Sequence, residues 1–274
     1  MLQTFTDDPA LGDIKIVASD MDFTLLDDAG HMPEAIHDRI RALEAAGKIF
    51  CAASGRPHHT LVQMFERDLE HIAIIADNGA IVSVRGHVIY TSEIPREHWM
   101  RIARFSLEQG HPPFLCGVER AYTVEESRRY GDFASTFMKR IDYLPALDEV
   151  SAPIVKFSAL VPKANGKEVF DRAYGPAFGA EASVTVGGTK WIDYMNRGVD
   201  KGSGLSTLCA HLGVDARDAC AIGDNYNDIE MFEAAGHSYL VSNAGLHMMP
   251  YADYRAPSNN EAGVVQGIDA ILNR

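Results

Sequence analysis

The sequence predicts an α/β protein, a doubly wound parallel sheet interrupted by an inserted second α/β domain. Three observations carry this. In the first and last thirds of the chain, short apolar runs alternate with segments of helical period. Each of those runs ends on a polar or acidic cluster. The middle third breaks the alternation, with more prolines and longer, less regular links.

The elements follow in order. "MLQTFTDDPALGD" is polar and acidic, lacks the basic start and apolar stretch of a signal peptide, and reads as a short extension. Ile14 to Ser19 is a first buried strand. In "DDAGHMPEAIHDRIRALEAAGK", Ile36, Ile40, Leu43 and Ala46 share one helical face, with Pro33 suited to the first turn and Gly47 to the end. A strand at 49–54, a helix in "HHTLVQMFERDLE" and a strand at 71–82, broken by Asn78-Gly79, come next.

The alternation returns with a helix at 201–214, where Leu205, Leu208 and Leu212 share a side. A strand at 219–224, a helix ended by Gly236, a strand at 237–244 and a closing helix, "GVVQGIDAILNR", complete it. Between the halves, strands are expected in "HVIYTS", "KFSALVP" and "KWIDYM", and helices in "REHWMRIARFSLEQG" and "KEVFDRAYGPAF". The expected division is a discontinuous core of 1–82 and 198–274 with an inserted domain of 83–197.

Bulk properties narrow the function. A chain of 274 residues with 46% hydrophobic and 23% charged residues has ample material for a core. Its net charge of −13 argues against non-specific nucleic-acid binding, which needs basic patches. An anionic substrate would therefore need a metal or a few chosen cationic side chains. No apolar run reaches membrane-span length, so no membrane partner is expected. Cys51, Cys116, Cys209 and Cys220 show no CxxC spacing and lie in or near apolar segments, as in a reduced, cytoplasmic chain.

In an open parallel sheet, ligands bind beyond the carboxyl ends of the strands. The first strand leaves Asp20 and Asp22 there, with Thr24 close behind. The second leaves Ser54, Gly55 and Arg56, the third Asp77, Asn78 and Gly79, and the fourth Asp224, Asn227 and Asp228. Lys201 opens the helix just after the insert. Adjacent half-buried carboxylates need a compensating cation, and a few hard oxygen ligands suit Mg²⁺. Asp20 and Asp224 offer carboxylate oxygens and Asp22 its backbone carbonyl. Lys201, the Ser54 hydroxyl and the Gly55 amide complete an expected phosphoryl site. Asp20 is the expected nucleophile, forming an aspartyl phosphate. Asp22, kept off the metal on its side-chain end, is the expected general acid and base.

"DMDFTLL", "SGR", "DNGA", "DKGSGL", "GDNYND" and the tail "SNNEAGV" together resemble the haloacid dehalogenase-like phosphatases, in particular the Cof-type group. The resemblance implies a Rossmann-like core with a large α/β cap. It implies Asp20 as nucleophile, Asp22 as acid/base, and a metal site of Asp20, the Asp22 carbonyl and Asp224. It assigns phosphate contacts to Ser54, Gly55, Lys201, Asn227 and the Met21 amide. Asp228, with Thr24, would steady the metal shell and the lysine. The family usually has glycine where this chain has Phe23, whose ring must point away from the phosphate or narrow the entrance.

Only 34 positions separate Asp20 from Ser54, whereas 147 separate Ser54 from Lys201. The resemblance places the cap in the later gap, which favours a hydrolase over a sugar-phosphate mutase. The expected function is a Mg²⁺-dependent phosphatase acting on small phosphorylated metabolites, sugar phosphates first. The alternatives are a phosphotransferase or phosphomutase on the same core, and a non-catalytic phosphate-binding regulatory protein.

Other features read more plainly. Ser54 also suits a helix cap. His58 and His59 lack metal-ligand spacing and read as surface helix residues. "GSG" at 202–204 lacks the third glycine of a dinucleotide fingerprint, and no GxxxxGK is present. Trp99 and Trp191 read as packing residues, one of which could line a pocket. Asn78-Gly79 reads equally as a simple turn.

Overall fold

The strands of the chain, described for residues 2–274 in a computed structural model, fall into two sheets. In chain order, β1 (Gln3–Thr4), β2 (Ile16–Ser19), β3 (Ile49–Ala53), β4 (Ile72–Ala76), β5 (Ile81–Val84) and β6 (His87–Thr91) belong to the first. β7 (Pro113–Cys116), β8 (Ala121–Val124), β9 (Ile141–Leu144), β10 (Lys156–Leu160), β11 (Ala182–Gly187) and β12 (Trp191–Asn196) build the second. β13 (Ala219–Gly223), β14 (His237–Val241) and β15 (Tyr254–Ala256) return to the first.

The first sheet runs β1-β15-β14-β13-β2-β3-β4-β5-β6, parallel from β1 to β4 and antiparallel beyond it. Its central strands β2, β4 and β13 are buried at every position, because helices cover both faces. On one face, Ile36, Ile40 and Leu43 of helix Ala35–Ala45 pack with Val264, Ile268 and Ile271 of helix Gly263–Leu272. On the other, Leu205 and Leu208 of helix Lys201–Leu212 pack with Met231 and Phe232 of helix Ile229–Ala234.

The second sheet runs β11-β12-β10-β7-β8-β9. One of its faces carries helix Arg96–Glu108 and the helical stretch 166–178, through Trp99, Ile102, Val169, Tyr174 and Phe178. The other holds Phe114, Met138 and Trp191, with Phe133 and Phe137 packed against them. That aromatic face looks over the carboxyl ends of the first sheet.

Two expectations need correction. "HVIYTS" was expected in the insert, yet β6 pairs antiparallel with β5 at the edge of the first sheet. A tight turn at Arg85-Gly86, both residues at positive φ (51° and 79°), joins them, and the edge position leaves β6 half exposed. The N-terminal segment, expected as a short extension before the first strand, itself holds a strand: β1 pairs with β15, while Phe5, Leu11 and Ile14 enter the core. Buried Asp8 accepts a hydrogen bond from the Tyr239 hydroxyl at 2.7 Å and pairs with His237 at 2.7 Å.

Candidate active site

The parallel register sets the ends of β2, β3 and β13 level, with Ala18 facing both Cys51 and Ala221. Asp20 leaves β2 in extended conformation, and its amide still donates to the Ile222 carbonyl at 2.8 Å. Residues 21–25 then turn sharply. Met21 drops its side chain into the core, and Phe23 takes a left-handed φ of 62°. The Asn243 side chain donates to the Phe23 carbonyl at 2.8 Å, which helps hold that costly conformation. The Phe23 ring is 54% exposed and stands on the cavity wall.

Lys201 comes from the opposite side of the sheet. Asp200 caps its helix, accepting from the Ser203 amide at 2.7 Å. A Cβ at Gly202 would stand 2.1 Å from the Glu230 carbonyl oxygen, so glycine is what lets the two helices meet. The "GSG" glycines thus answer to packing. Lys201 Nζ donates to Asp20 Oδ1 at 2.5 Å and to Asp228 Oδ1 at 2.6 Å, and all three side chains are buried. The other Asp228 oxygen accepts from the amides of Asp224 (3.0 Å) and Asn225 (3.1 Å), which shapes the loop after β13. Thr24 donates to Asp224 Oδ1 at 3.2 Å.

Carboxylate oxygens of Asp20, Asp224 and Asp228 all lie within 4.8 Å of one another. Burial pushes the Asp20 carboxyl well above its ordinary range; Lys201 opposes this and the other aspartates reinforce it. Burial, then Asp228, pushes Asp224 up to about 7 against the pull of Lys201. Burial alone would lower the Lys201 ammonium, but Asp20 and Asp228 outweigh it and hold it charged. Three carboxylates thus share a single ammonium. An all-oxygen donor set with surplus negative charge fits a hard divalent cation.

Asp22 is not part of that knot. Its carboxylate is gripped by Arg56, with Nε at 2.9 Å from one oxygen and Nη2 at 2.6 Å from the other. Arg56 was named at a strand end by sequence but given no part in the site. Ser54 is buried, and its hydroxyl accepts from the Arg56 amide at 3.1 Å. The next helix, His58–Met64, starts beyond Pro57, so Ser54 shapes the loop and is not the helix cap. Gly55 lines the cavity, and its carbonyl accepts from Lys156 Nζ of the second sheet. The Asn227 side chain lies 3.4 Å from that of Asn78.

A second buried knot sits beside the first. Lys156 Nζ lies 3.3 Å from Asp77 and 3.7 Å from Asp193, with all three side chains buried. Asp193 also accepts from Ser158 (2.6 Å) and Asn78 (3.1 Å). Burial pushes Asp77 up to about 6, with Lys156 pulling the other way. The Asn78-Gly79 turn therefore ties the two sheets together. Gly79 has φ +96°, and a Cβ there would meet the Asp200 carbonyl oxygen at 2.0 Å.

His58 and His59, expected on the surface, are both buried. Their helix tucks its first turn under the insert: the Lys139 amide donates to Thr60 at 3.1 Å, and the His58 amide donates to Asp77 at 3.0 Å. Trp99 packs within the second sheet's helical face, whereas Trp191 lines the cavity. The cavity, about 520 Å³, opens between the sheets. Asp20, Asp224 and Asn227 form its floor, and Phe133, Phe137 and Trp191 stand on the insert side. Phe133 stacks on Trp191 at 5.9 Å, and Phe137 meets Trp191 edge-on at 6.1 Å.

The haloacid dehalogenase-like hydrolase family matches residues 17–268 of the chain. The 5-amino-6-(5-phospho-D-ribitylamino)uracil phosphatase YbjI of Escherichia coli is 30% identical over 94% of this chain and 96% of its own length. Among solved structures, SMU.1108c of Streptococcus mutans superposes with a TM-score of 0.87 at 25% identity, covering 95% of this chain and all of its own. The subclass IIB sugar phosphatase BT4131 superposes with a TM-score of 0.79 at 21% identity, covering 93% of this chain and 98% of its own, a likeness of fold.

Proposed function

This chain belongs to the haloacid dehalogenase-like hydrolases as a Cof-type phosphatase, and from that premise we propose that it hydrolyses small phosphomonoesters with Mg²⁺ through an aspartyl phosphate. The observation that carries the reading is the buried knot of Asp20, Lys201, Asp228 and Asp224, of which Asp20 and Asp224 line the cavity between the sheets.

Asp20 attacks phosphorus. Its new O–P bond forms as the bond to the leaving oxygen breaks, and Asp22 gives that oxygen a proton. Water then attacks the acyl phosphate, passing a proton to Asp22 and releasing Asp20 as carboxylate. Lys201 favours the ionised form of Asp20 against the effect of burial and offsets charge on the transferring group. Ser54, the amides of Gly55 and Met21, and Asn227 hold the phosphoryl oxygens. Asp20, Asp224 and the Asp22 carbonyl would hold Mg²⁺, which supplies Lewis-acid neutralisation of the phosphate charge. Thr24 and Asp228 steady that ring.

In this reading residues 2–91 and 198–274 form the catalytic core, and 92–197 form a cap that excludes water and selects the leaving group. Phosphosugars are the first substrate class. A second reading, a phosphorylated ribityl chain carrying a pyrimidine ring, is favoured by the phosphatase relative's substrate and by the aromatic wall of Phe133, Phe137 and Trp191. The four unpaired, buried cysteines suit a reducing, cytoplasmic setting.

The test is a panel of phosphate esters containing p-nitrophenyl phosphate, ribose 5-phosphate and the phosphoribitylamino-uracil. Each is assayed with Mg²⁺ and with chelator, in ¹⁸O-labelled water. Turnover that needs the metal and places label in the released phosphate is expected. Label-free product with phosphate passed to a second sugar would make the protein a phosphotransferase. No metal-dependent turnover on any ester would make it a binding protein.

A further inference from the structure

Every nitrogen of the Arg56 guanidinium is committed. Nε and Nη2 fork onto the two oxygens of Asp22, while Nη1 donates to the Thr136 carbonyl at 2.8 Å. The cation also lies over the Phe137 ring, 5.1 Å from its centroid. Asp22 belongs to the first sheet's turn, whereas Thr136 and Phe137 belong to the insert. The Arg56 side chain is 11% exposed and that of Asp22 36%.

We propose that Arg56 is the positioning residue for Asp22, and that the insert completes its hold through Thr136 and Phe137, so that seating of the insert and placement of the proton-transfer carboxylate are one event. The inference rests on the role given to Asp22 above and adds how that role is set. A carboxylate on a short turn has two free side-chain torsions. A two-point fork fixes both its plane and its direction, which one ammonium cannot do. The fork in turn is fixed by a carbonyl acceptor and an aromatic face from the other sheet. Three of the five N–H donors of Arg56 are thus taken up by Asp22 and Thr136, so the side chain is held in one orientation even though it follows Ser54 and Gly55 directly.

The test is a double-mutant cycle between Arg56→Lys and Asp22→Asn, with p-nitrophenyl phosphate and ribose 5-phosphate as substrates. Nitrophenolate leaves with little help from an acid, whereas a sugar alkoxide needs a proton. Arg56→Lys should lower kcat on ribose 5-phosphate by about tenfold or more, leave KM within about twofold, and cost about threefold or less on p-nitrophenyl phosphate. In the Asp22→Asn background the same change should cost no further activity on p-nitrophenyl phosphate, because nothing remains to position.

Phe137→Ala leaves Arg56 intact and approaches from the insert side. It should reproduce the ester-selective loss at a smaller size, about threefold. A loss from Arg56→Lys on p-nitrophenyl phosphate in the Asp22→Asn background, a loss on ribose 5-phosphate no larger than that on p-nitrophenyl phosphate, or a raised KM with kcat kept, would overturn the proposal. Phe137→Ala slowing both esters alike, or neither, would overturn the insert's share in it. Asp22→Asn as active as the parent on ribose 5-phosphate would instead remove the role of Asp22 on which the proposal rests.

Discussion

Lys201 and Lys156 are each buried between two aspartates, the first knot at the ends of β2 and β13 and the second between the end of β4 and the second sheet. Around Lys201, Asp20 and Asp228 are joined by a third carboxylate, Asp224, and Asp20 and Asp224 line the cavity. Around Lys156, Asp193 accepts from the neutral donors Ser158 and Asn78, Asp77 accepts from the His58 amide, and the Gly55 carbonyl accepts from the lysine itself. The first knot keeps surplus negative charge that a cation can answer. The second is closer to balance, and its members come from both sheets. In the proposed reading the same residue types serve chemistry in one place and the seating of the insert in the other, and the difference lies in what surrounds the pair.

The largest effect expected is at the first knot. Asp20→Asn should lower kcat by about 10⁴-fold or more with the melting transition retained, since the nucleophile is lost while a hydrogen-bonding side chain stays. Activity within tenfold of the parent would place the nucleophile elsewhere. Lys201→Met should lower kcat/KM by about 10²- to 10³-fold by removing charge from the transferring group. Lys156→Met is the matching change in the second knot. It should cost about 3 kcal/mol in denaturant unfolding, because two buried carboxylates lose their partner, yet keep kcat on p-nitrophenyl phosphate within about tenfold. If the two lysine variants lost activity alike, the contrast between chemistry and seating would fail.

The smallest effect concerns His59, close to Lys156. Burial first, then Arg140, His58, Lys156 and Arg120, pushes its imidazole down to about 4. A histidine whose folded value lies below its ordinary 6.5 contributes stability that is whole above that pH and lost as pH falls toward 4. Discounted for partial solvent screening, the loss between pH 7 and 4.5 is about 1–2 kcal/mol. His59→Gln should be less acid-sensitive than the parent by that amount. Asp77, shifted upward, works in the opposite sense, but it cancels when parent and variant are compared at each pH. Equal acid sensitivity would mean that another group carries the loss.

Much of the core was legible because its signals are local. A buried run, a helix-period segment and a polar strand end each lie within one stretch of chain. Asp20, Ser54 and Asp224 were therefore placed by their own neighbours. Less was legible where partners are distant or patterns weak. Neither β7, β8, β9 nor β11 announces itself by alternation, and β6 joined the other sheet through a two-residue turn. The hold of Arg56 spans 34 positions to Asp22 and 80 to Thr136, with nothing in "SGR" to name either partner. His58 and His59 looked like surface residues because the segment that buries them lies near Lys139, far along the chain.

The sequence by itself determined the sheet, its direction and the set of acidic strand ends. Parallel strands of buried residues must point their carboxyl ends to one edge, whatever the side chains there then do. Tertiary structure alone decided the pairing: Lys201 with Asp20 and Asp228, Arg56 with Asp22, Lys156 across two sheets. Charges choose partners by distance and burial, and both are fixed only when segments far apart in the chain have packed together.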